Sequence, residues 1–239
     1  MEKIWDDIKT LLAVYTMGVF LAFLMGCLKV FGVIQILNRE RFPRNKGNLI
    51  VVFNHPSLFE PILVPVLFWR DYMRHPIKLL PISTPDRKNF DRWFWFWAKP
   101  SFIFIDRDNP RKAVQALRKM ENVLNSGGIL SIPPEGTRTF KAQGHLHSEV
   151  RKKKLGILQS GVAHLILKTD CTILPVWIDG AEEFFPNTIW IKGQKSRFPF
   201  PRFWKKVTVK IGKPLKLEKT DKVNITQKLV TTLLELADE

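Results

Sequence analysis

One histidine and one carboxylate stand five positions apart in the segment Asn54–Glu60, which reads Asn-His-Pro-Ser-Leu-Phe-Glu. The segment directly follows an apolar run, Leu49–Phe53, that predicts a buried strand. In a turn that enters a helix, the Glu60 carboxylate can hold one imidazole nitrogen of His55 while the other nitrogen accepts a proton. We therefore predict a general base paired with an acid. On the residues alone, a capped helix start with a surface histidine explains the same spacing.

Two arginines follow other predicted strands. Arg138 closes the run Pro133–Arg138 (Pro-Pro-Glu-Gly-Thr-Arg), and Arg107 comes two positions after the apolar run Phe102–Ile105. Gly136 lets the backbone approach a ligand closely, and a guanidinium presents a planar set of donors that suits phosphate. Because α/β sheets bind ligands beyond the carboxyl ends of their strands, we expect the base and the arginines to meet at one sheet edge. A solvated surface charge is the alternative for each arginine.

Short apolar runs alternate with helical patterns after residue 45, which predicts an α/β fold with a single mixed sheet covered by helices. The predicted strands are Leu49–Phe53, Ile77–Ile82, Phe102–Ile105, Ile129–Ile132 and Thr172–Ile178. The predicted helices are Pro110–Ser126, capped by Asn109, then Gly156–Lys168 and Lys222–Ala237. We predict two parts in the chain, a membrane-associated helical segment in residues 1–40 and one domain in residues 41–239.

The composition of residues 1–40 predicts a hydrophobic helical membrane anchor. Thr10–Leu28 contains nineteen residues without a charge, and a second apolar stretch follows at Val30–Leu37. The first stretch is just long enough to cross a bilayer. A helical hairpin in one leaflet, an interfacial helix and a buried core helix are the alternatives. The basic residues Arg39, Arg41 and Arg44 predict that the rest of the chain lies on the cytoplasmic side.

The formal net charge of +16 predicts an anionic partner: nucleic acid, a phosphorylated substrate or an anionic membrane surface. Residues 192–222 contain eleven Lys or Arg against two acids, with aromatic residues between them, which favours docking on anionic lipid. The aromatic stretch Phe90–Trp97 is expected partly in the core and partly at the lipid headgroup level. With only two cysteines, Cys27 and Cys171, the chain cannot form a disulfide framework. The spacing of its Cys and His residues does not fit a structural zinc site.

Four sequence blocks occur in the order typical of one enzyme family. They are Asn54–Glu60, Ile105-Asp106-Arg107, Pro134-Glu135-Gly136-Thr137-Arg138 and Leu174-Pro175-Val176. Over about Leu49 to Ile178, the chain resembles the PlsC-type glycerolipid acyltransferases, which include 1-acylglycerol-3-phosphate acyltransferases and related lysophospholipid acyltransferases. The resemblance implies an acyltransferase domain in residues 41–239, bound to the membrane on its cytoplasmic face.

The resemblance also implies roles for individual residues. His55 would deprotonate the hydroxyl of the lysolipid acceptor, and Glu60, where the family commonly has Asp, would orient His55. The substrate-binding residues that it implies are Arg107, Glu135, Gly136, Thr137 and Arg138, with both arginines on the acceptor phosphate. The acyl group would pass directly from acyl-CoA or acyl carrier protein to the hydroxyl, and neither a metal nor another cofactor is implied.

Other functions compete with this interpretation. The acceptor can be glycerol 3-phosphate, another lysophospholipid or a lyso-aminolipid instead of 1-acylglycerol 3-phosphate. A nucleic-acid-binding module would explain the charge, but it leaves Thr10–Leu28 and the strand-end motifs unexplained, so we expect no nucleic acid partner. A non-catalytic membrane scaffold would explain the anchor but not the pairing of His55 with Arg138.

Overall fold

A mixed six-stranded sheet organises the chain. The computed structural model describes residues 2–43, 47–91, 96, 98–106, 108–186, 189–191, 194–196 and 200–239. In these residues the strands are β1 (Ile34–Leu37), β2 (Leu49–Phe53), β3 (Ile82–Ser83), β4 (Ile129–Ile132), β5 (His145–His147), β6 (Lys154–Gly156), β7 (Thr172–Asp179), β8 (Ile189–Ile191), β9 (Gln194–Ser196) and β10 (Val207–Ile211). The main sheet has the order β1-β10-β7-β2-β4-β3, and β5–β6 and β8–β9 form separate hairpins. A mixed sheet was predicted, and the structure confirms it.

Helices cover both faces of this sheet. They are α1 (Glu2–Ala13), α2 (Val19–Val30), α3 (Glu60–Val66), α4 (Trp69–Arg74), α5 (Pro76–Leu79), α6 (Arg87–Phe90), α7 (Pro110–Asn125), α8 (Gly161–Lys168), α9 (Ala181–Phe184) and α10 (Lys222–Asp238). Side chains of α2, α3, α4 and α9 share one apolar core, and side chains of α7, α8 and α10 share the other. The molecule therefore has three layers, helix–sheet–helix.

Strand β2 explains why the sheet is central. Its side chains alternate between the two cores: Leu49, Val51 and Phe53 pack with α3, while Ile50 and Val52 pack with α7 and α8. All five are at most 1% exposed, and burial of each contributes about 1.5–3 kcal/mol. The strand pairs in parallel with β4 on one side and β7 on the other. The carboxyl ends of these three strands therefore lie at one edge of the sheet, as predicted.

Several elements agree with the sequence prediction, and three do not. Strands β2, β4 and β7 and helices α7 and α10 lie within about one residue of their predicted bounds, and the Asn109 side chain accepts a hydrogen bond from the Lys112 N–H. The predicted strand Ile77–Ile82 is wrong, because Pro76 begins the short helix α5 and pairing starts only at Ile82.

The other two corrections concern element length. Residues Phe102–Ile105 make only two isolated bridges, to Ser83 and Asp86, rather than a full strand. The helix predicted to start at Gly156 starts at Gly161, because Lys154–Gly156 pairs with His145–His147 as a strand.

The N-terminal segment forms one long helix. Helices α1 and α2 are joined by a π-helical turn, Val14–Gly18, and Asp7–Val30 is long and apolar enough to cross a membrane. Val14, Met25 and Leu28 pack into the core with α3. The opposite side exposes a row of large apolar residues: Ile4, Trp5, Ile8, Leu12, Tyr15, Val19, Phe20, Phe23 and Leu24.

A glycine ends this helix and excludes a helical hairpin. Gly32 has φ +70°, the Gly32 N–H donates to the Lys29 carbonyl, and the Val33 N–H donates to the Leu28 carbonyl. This hydrogen-bond pattern is a Schellman helix end, which requires a left-handed residue. The chain then enters β1, which pairs with β10. The second apolar stretch therefore supplies a strand of the main sheet and not a second helix.

Candidate active site

The imidazole of His55 meets the carboxylate of Glu60 just beyond the end of β2. Nδ1 of His55 lies 3.0 Å from Oε2 of Glu60. The Glu60 side chain is fully buried, and the His55 side chain keeps 13% of its surface exposed. In the tautomer that carries its proton on Nδ1, the carboxylate accepts from Nδ1–H and the lone pair lies on Nε2. The spacing predicted this contact between the two side chains, and the role of His55 as a base stays a prediction.

Ser57 fixes the other oxygen of Glu60. Its backbone N–H and its hydroxyl both donate to Oε1, at 3.0 and 2.8 Å, and the Phe59 N–H donates to the Ser57 hydroxyl oxygen. These bonds form a tight turn at the start of α3 and satisfy the buried carboxylate. The hydroxyl of Ser57 is thus engaged with the acid, and the serine is fully buried. A nucleophile would need its hydroxyl beside a base instead.

The backbone of His55 is held from two sides by the turn after β4. Its N–H donates to Oε1 of Glu135 at 2.7 Å, and its carbonyl accepts from the Thr139 N–H at 2.8 Å. Glu135 also accepts from the Thr139 hydroxyl at 2.9 Å and from the Gly156 N–H at 2.7 Å. Burial raises the pKa of Glu135, and these donors oppose the rise. Both oxygens of Glu135 are therefore bound to protein donors.

Gly156 is needed where it stands, because its backbone comes close to this carboxylate. A Cβ on Gly156 would lie 2.5 Å from Oε2 of Glu135 and 2.8 Å from Cβ of Ala142. The hairpin β5–β6 can therefore donate its N–H to Glu135 only with glycine at this position. The sequence predicted neither the contact of Gly156 with Glu135 nor that of the His55 backbone with Glu135.

Asn54, like Gly156, has a positioning role that was not predicted from the sequence. Its amide nitrogen donates to the Ile178 carbonyl at 2.9 Å, and its amide oxygen accepts from the Ile178 N–H at 2.8 Å. The amide thus continues the β2–β7 pairing by one step past the strand. The available signal was an amide directly after a predicted buried strand, since an amide that is buried needs partners.

Arg138 lies within electrostatic reach of the His–Glu pair. Its guanidinium carbon is 5.0 Å from the ring centroid of Phe140. Burial lowers the pKa of Arg138 from its usual value, and the negative charge of Glu60 opposes this shift. Gly136, at φ +70°, turns the chain towards Arg138, and Thr137 lies half-buried between them. The Arg138 guanidinium and the Glu60 carboxylate therefore interact electrostatically.

Arg107 and much of the aromatic and basic stretches lie outside the described residues. These include Trp93, Trp95 and Trp97 and parts of residues 192–199. Their expected roles stay predictions. In the part of the chain that the structure describes, no three His, Cys, Asp or Glu side chains are grouped so that they could hold a metal ion.

Known proteins resemble this chain in sequence and in fold. A probable 1-acyl-sn-glycerol-3-phosphate acyltransferase from Mycoplasma pneumoniae is 26% identical over 149 residues, covering 62% of this chain and 50% of the relative. A 1-acyl-sn-glycerol-3-phosphate acyltransferase from Borreliella burgdorferi is 25% identical over 179 residues, covering 71% of this chain and 63% of the relative. The chain thus spans between half and two-thirds of the length of these relatives.

The fold has a solved counterpart. The crystal structure of the 1-acyl-sn-glycerophosphate acyltransferase PlsC from Thermotoga maritima matches with a TM-score of 0.58 at 18% identity, covering 100% of this chain and 97% of that one. At that identity the likeness shows the fold. The sequence profile of the family described as Acyltransferase matches residues 33–179, which include His55, Glu60 and Arg138. This match covers more than half of the chain, and the chain belongs to the Acyltransferase family.

Proposed function

We propose that the protein is a membrane-bound O-acyltransferase that moves an acyl group from a thioester to the free hydroxyl of a phosphate-bearing lysolipid. The acceptor that we propose is 1-acylglycerol 3-phosphate, which becomes phosphatidate, because both sequence relatives carry the name of that reaction. The observation that carries the proposal is the 3.0 Å contact between His55 and a buried Glu60, with Arg138 nearby.

The reaction follows from these positions. Nε2 of His55 takes the proton of the acceptor hydroxyl while that oxygen attacks the thioester carbonyl. The C–O bond forms, the C–S bond breaks, and the imidazolium returns the proton to the leaving thiolate. Glu60 stabilises the imidazolium because it lies in a water-excluded site, where a charge pair interacts strongly. Arg138 binds the acceptor phosphate.

Direct transfer agrees with the state of Ser57. Its hydroxyl donates to Glu60 at 2.8 Å rather than to His55. These contacts therefore argue against an acyl-enzyme intermediate on Ser57. The donor is proposed as acyl-CoA or acyl carrier protein.

The N-terminal helix supports membrane attachment. Along its length one side contacts the domain, through α1 with α5 and through α2 with α3 and β1. The other side exposes apolar side chains such as Phe23 at 71% and Leu12 at 61%. A helix with these two sides suits the plane of one leaflet, with its free side in lipid. The basic residues Arg39 and Arg41, which follow it, favour the cytoplasmic side.

The test is an assay of the purified full-length chain with a panel of lysolipids and both thioester donors. We expect acylation of 1-acylglycerol 3-phosphate and a fall of about 10²–10⁴-fold in His55→Ala. His75→Ala, which changes an exposed histidine, is the matched control and keeps full activity. Consumption of no thioester with any acceptor would refute the proposal, and activity of His55→Ala close to that of the parent would remove His55 from the base role.

A further inference from the structure

Four cations follow one another in the turn after β5 and the first residue of β6. They are Arg151, Lys152, Lys153 and Lys154, which we call the basic turn. Arg151, Lys152 and Lys154 are exposed. Lys153 pairs with Asp179 at 3.0 Å. The acyl-transfer chemistry described above does not use these side chains.

Hydrogen bonds at its base hold the basic turn in one shape. The Ser148 N–H donates to the Lys153 carbonyl at 3.0 Å, and the Lys153 N–H donates to the Ser148 hydroxyl oxygen at 2.9 Å. The N–H groups of Val150 and Arg151 donate to the Asp238 carboxylate at 2.9 and 2.7 Å. A ligand that binds here therefore pays little conformational entropy to order the backbone.

Two chains of contacts tie the basic turn to the catalytic histidine. In the first, Gly156 and the backbone N–H of His55 donate to the same Glu135 carboxylate. In the second, Lys153 pairs with Asp179, and the preceding residue Ile178 is bonded to the Asn54 amide, next to His55. The basic turn is therefore a fixed neighbour of the reacting groups.

The basic turn belongs to the layer of the molecule opposite the N-terminal helix. Leu155 and Leu158, which follow it, pack into the core of α7, α8 and α10. Met25 and Leu28 of the N-terminal helix pack into the other core. With the exposed apolar face of that helix in lipid, the basic turn faces water. An anion that reaches His55 from the aqueous side meets these cations first.

On the strength of the function proposed above, we propose that the basic turn binds the phosphates of coenzyme A, the water-soluble carrier of the acyl group. Coenzyme A concentrates a pyrophosphate and a ribose phosphate in a small volume, which suits several cations on a short rigid turn. An acidic carrier protein would need an interface of about 800 Å² on this chain, far more than four residues offer. The acceptor phosphate has its own cation in Arg138.

The test uses the full-length protein in detergent and the double variant Lys152→Glu/Lys154→Glu. Its matched control is Lys119→Glu/Lys228→Glu, which makes the same charge change at exposed lysines on α7 and α10. Coenzyme A alone is titrated calorimetrically, and KM is measured for acyl-CoA and for acyl-pantetheine, which lacks the nucleotide phosphates. We expect both the Kd of coenzyme A and the KM of acyl-CoA to rise about tenfold in the turn variant only, with kcat and the acyl-pantetheine KM unchanged.

Four results would overturn the proposal. These are an unchanged Kd for coenzyme A, an equal rise of KM for acyl-pantetheine, a parallel loss of binding to anionic vesicles, and a parent that uses acyl carrier protein without binding coenzyme A. A parent that binds coenzyme A through the basic turn but acylates no lysolipid would confirm this site and refute the proposed function.

Discussion

The backbone N–H of His55 donates to Oε1 of Glu135 at 2.7 Å across 80 residues of sequence. The carboxylate that the family motif supplies thus holds the backbone of His55 in place, and its two oxygens are shared among His55, Thr139 and Gly156. Positioning through the backbone differs from contact with a substrate, and the two roles give different kinetics.

Glu135→Gln should lower kcat about tenfold or more and leave the acceptor KM nearly unchanged, because it displaces the base rather than a substrate contact. A glutamine nitrogen would also face a buried N–H donor, which costs about 1–3 kcal/mol of stability. Thr139→Val, which removes one donor without that conflict, should lower kcat less. Steady-state kinetics and urea unfolding measure both effects. A rise confined to the acceptor KM would return Glu135 to the acceptor pocket.

Glu60→Gln should lower kcat about 10²-fold, because a neutral amide stabilises the imidazolium less than a carboxylate does. Glu60→Asp, which matches the commoner family residue, should also lower kcat, since the shorter side chain cannot keep both the 3.0 Å contact to His55 and the bonds from Ser57. The acceptor KM should stay the same in both. An aspartate variant as active as the parent would show that the turn adjusts to the side chain.

Arg138→Ala should raise the acceptor KM about tenfold to a hundredfold, the effect of losing a charge-assisted contact to phosphate. Arg138→Lys should recover part of this loss, because an ammonium keeps the charge but not the planar fork. An acceptor without a phosphate group should show no difference between the variants. An unchanged KM for the phosphate acceptor would assign Arg138 to packing on Phe140.

Substitutions on the two sides of the N-terminal helix should separate membrane binding from stability. Leu12→Lys and Phe23→Lys change exposed side chains, so we expect weaker partitioning into vesicles and an unchanged free energy of unfolding. Met25→Ala and Leu28→Ala remove buried side chains and should cost about 2–5 kcal/mol each. Vesicle sedimentation and denaturant unfolding measure the two quantities. Equal partitioning of the lysine variants and the parent would reject the lipid-facing side.

Asp238 should make the stability of the chain depend on pH in acid. Partial burial raises its pKa, but the N–H donors of Val150 and Arg151 outweigh burial and lower this pKa to about 2. Because the pKa is lower in the folded chain, the stabilisation is present above about pH 4 and is lost as the pH falls through the folded value.

Asp238→Asn should therefore lower the free energy of unfolding at neutral pH, and its difference from the parent should shrink between about pH 4 and pH 2. Urea titrations at several pH values follow this difference, with the exposed Glu218→Gln as control. A difference that is constant with pH would show that the carboxylate charge is not involved.

Local sequence patterns predicted the contacts of the site better than they predicted the strands at the edges of the sheet. The pairing of His55 with Glu60 and the position of Arg138 after β4 each depend on only a few neighbouring residues, so they could be predicted from the sequence. Apart from Thr139, the partners of Glu135 and Asn54 lie 21 to 124 residues away, and only the topology brings them together. Strand β10, which contains Lys210, is absent from the predicted strands although its pattern alternates, because the charge of residues 192–222 favours a docking surface instead. That lysine is 2% exposed, and its Nζ donates to the Ala237 carbonyl at 2.7 Å.

Met25 and Leu28 pack against the same core as the helix that begins at Glu60. With the membrane attachment proposed above, this packing would set the height of the imidazole above the hydrocarbon, as a flexible tether could not. An acceptor lipid whose hydroxyl lies deeper or shallower in the bilayer would then be out of reach of His55, whatever its headgroup.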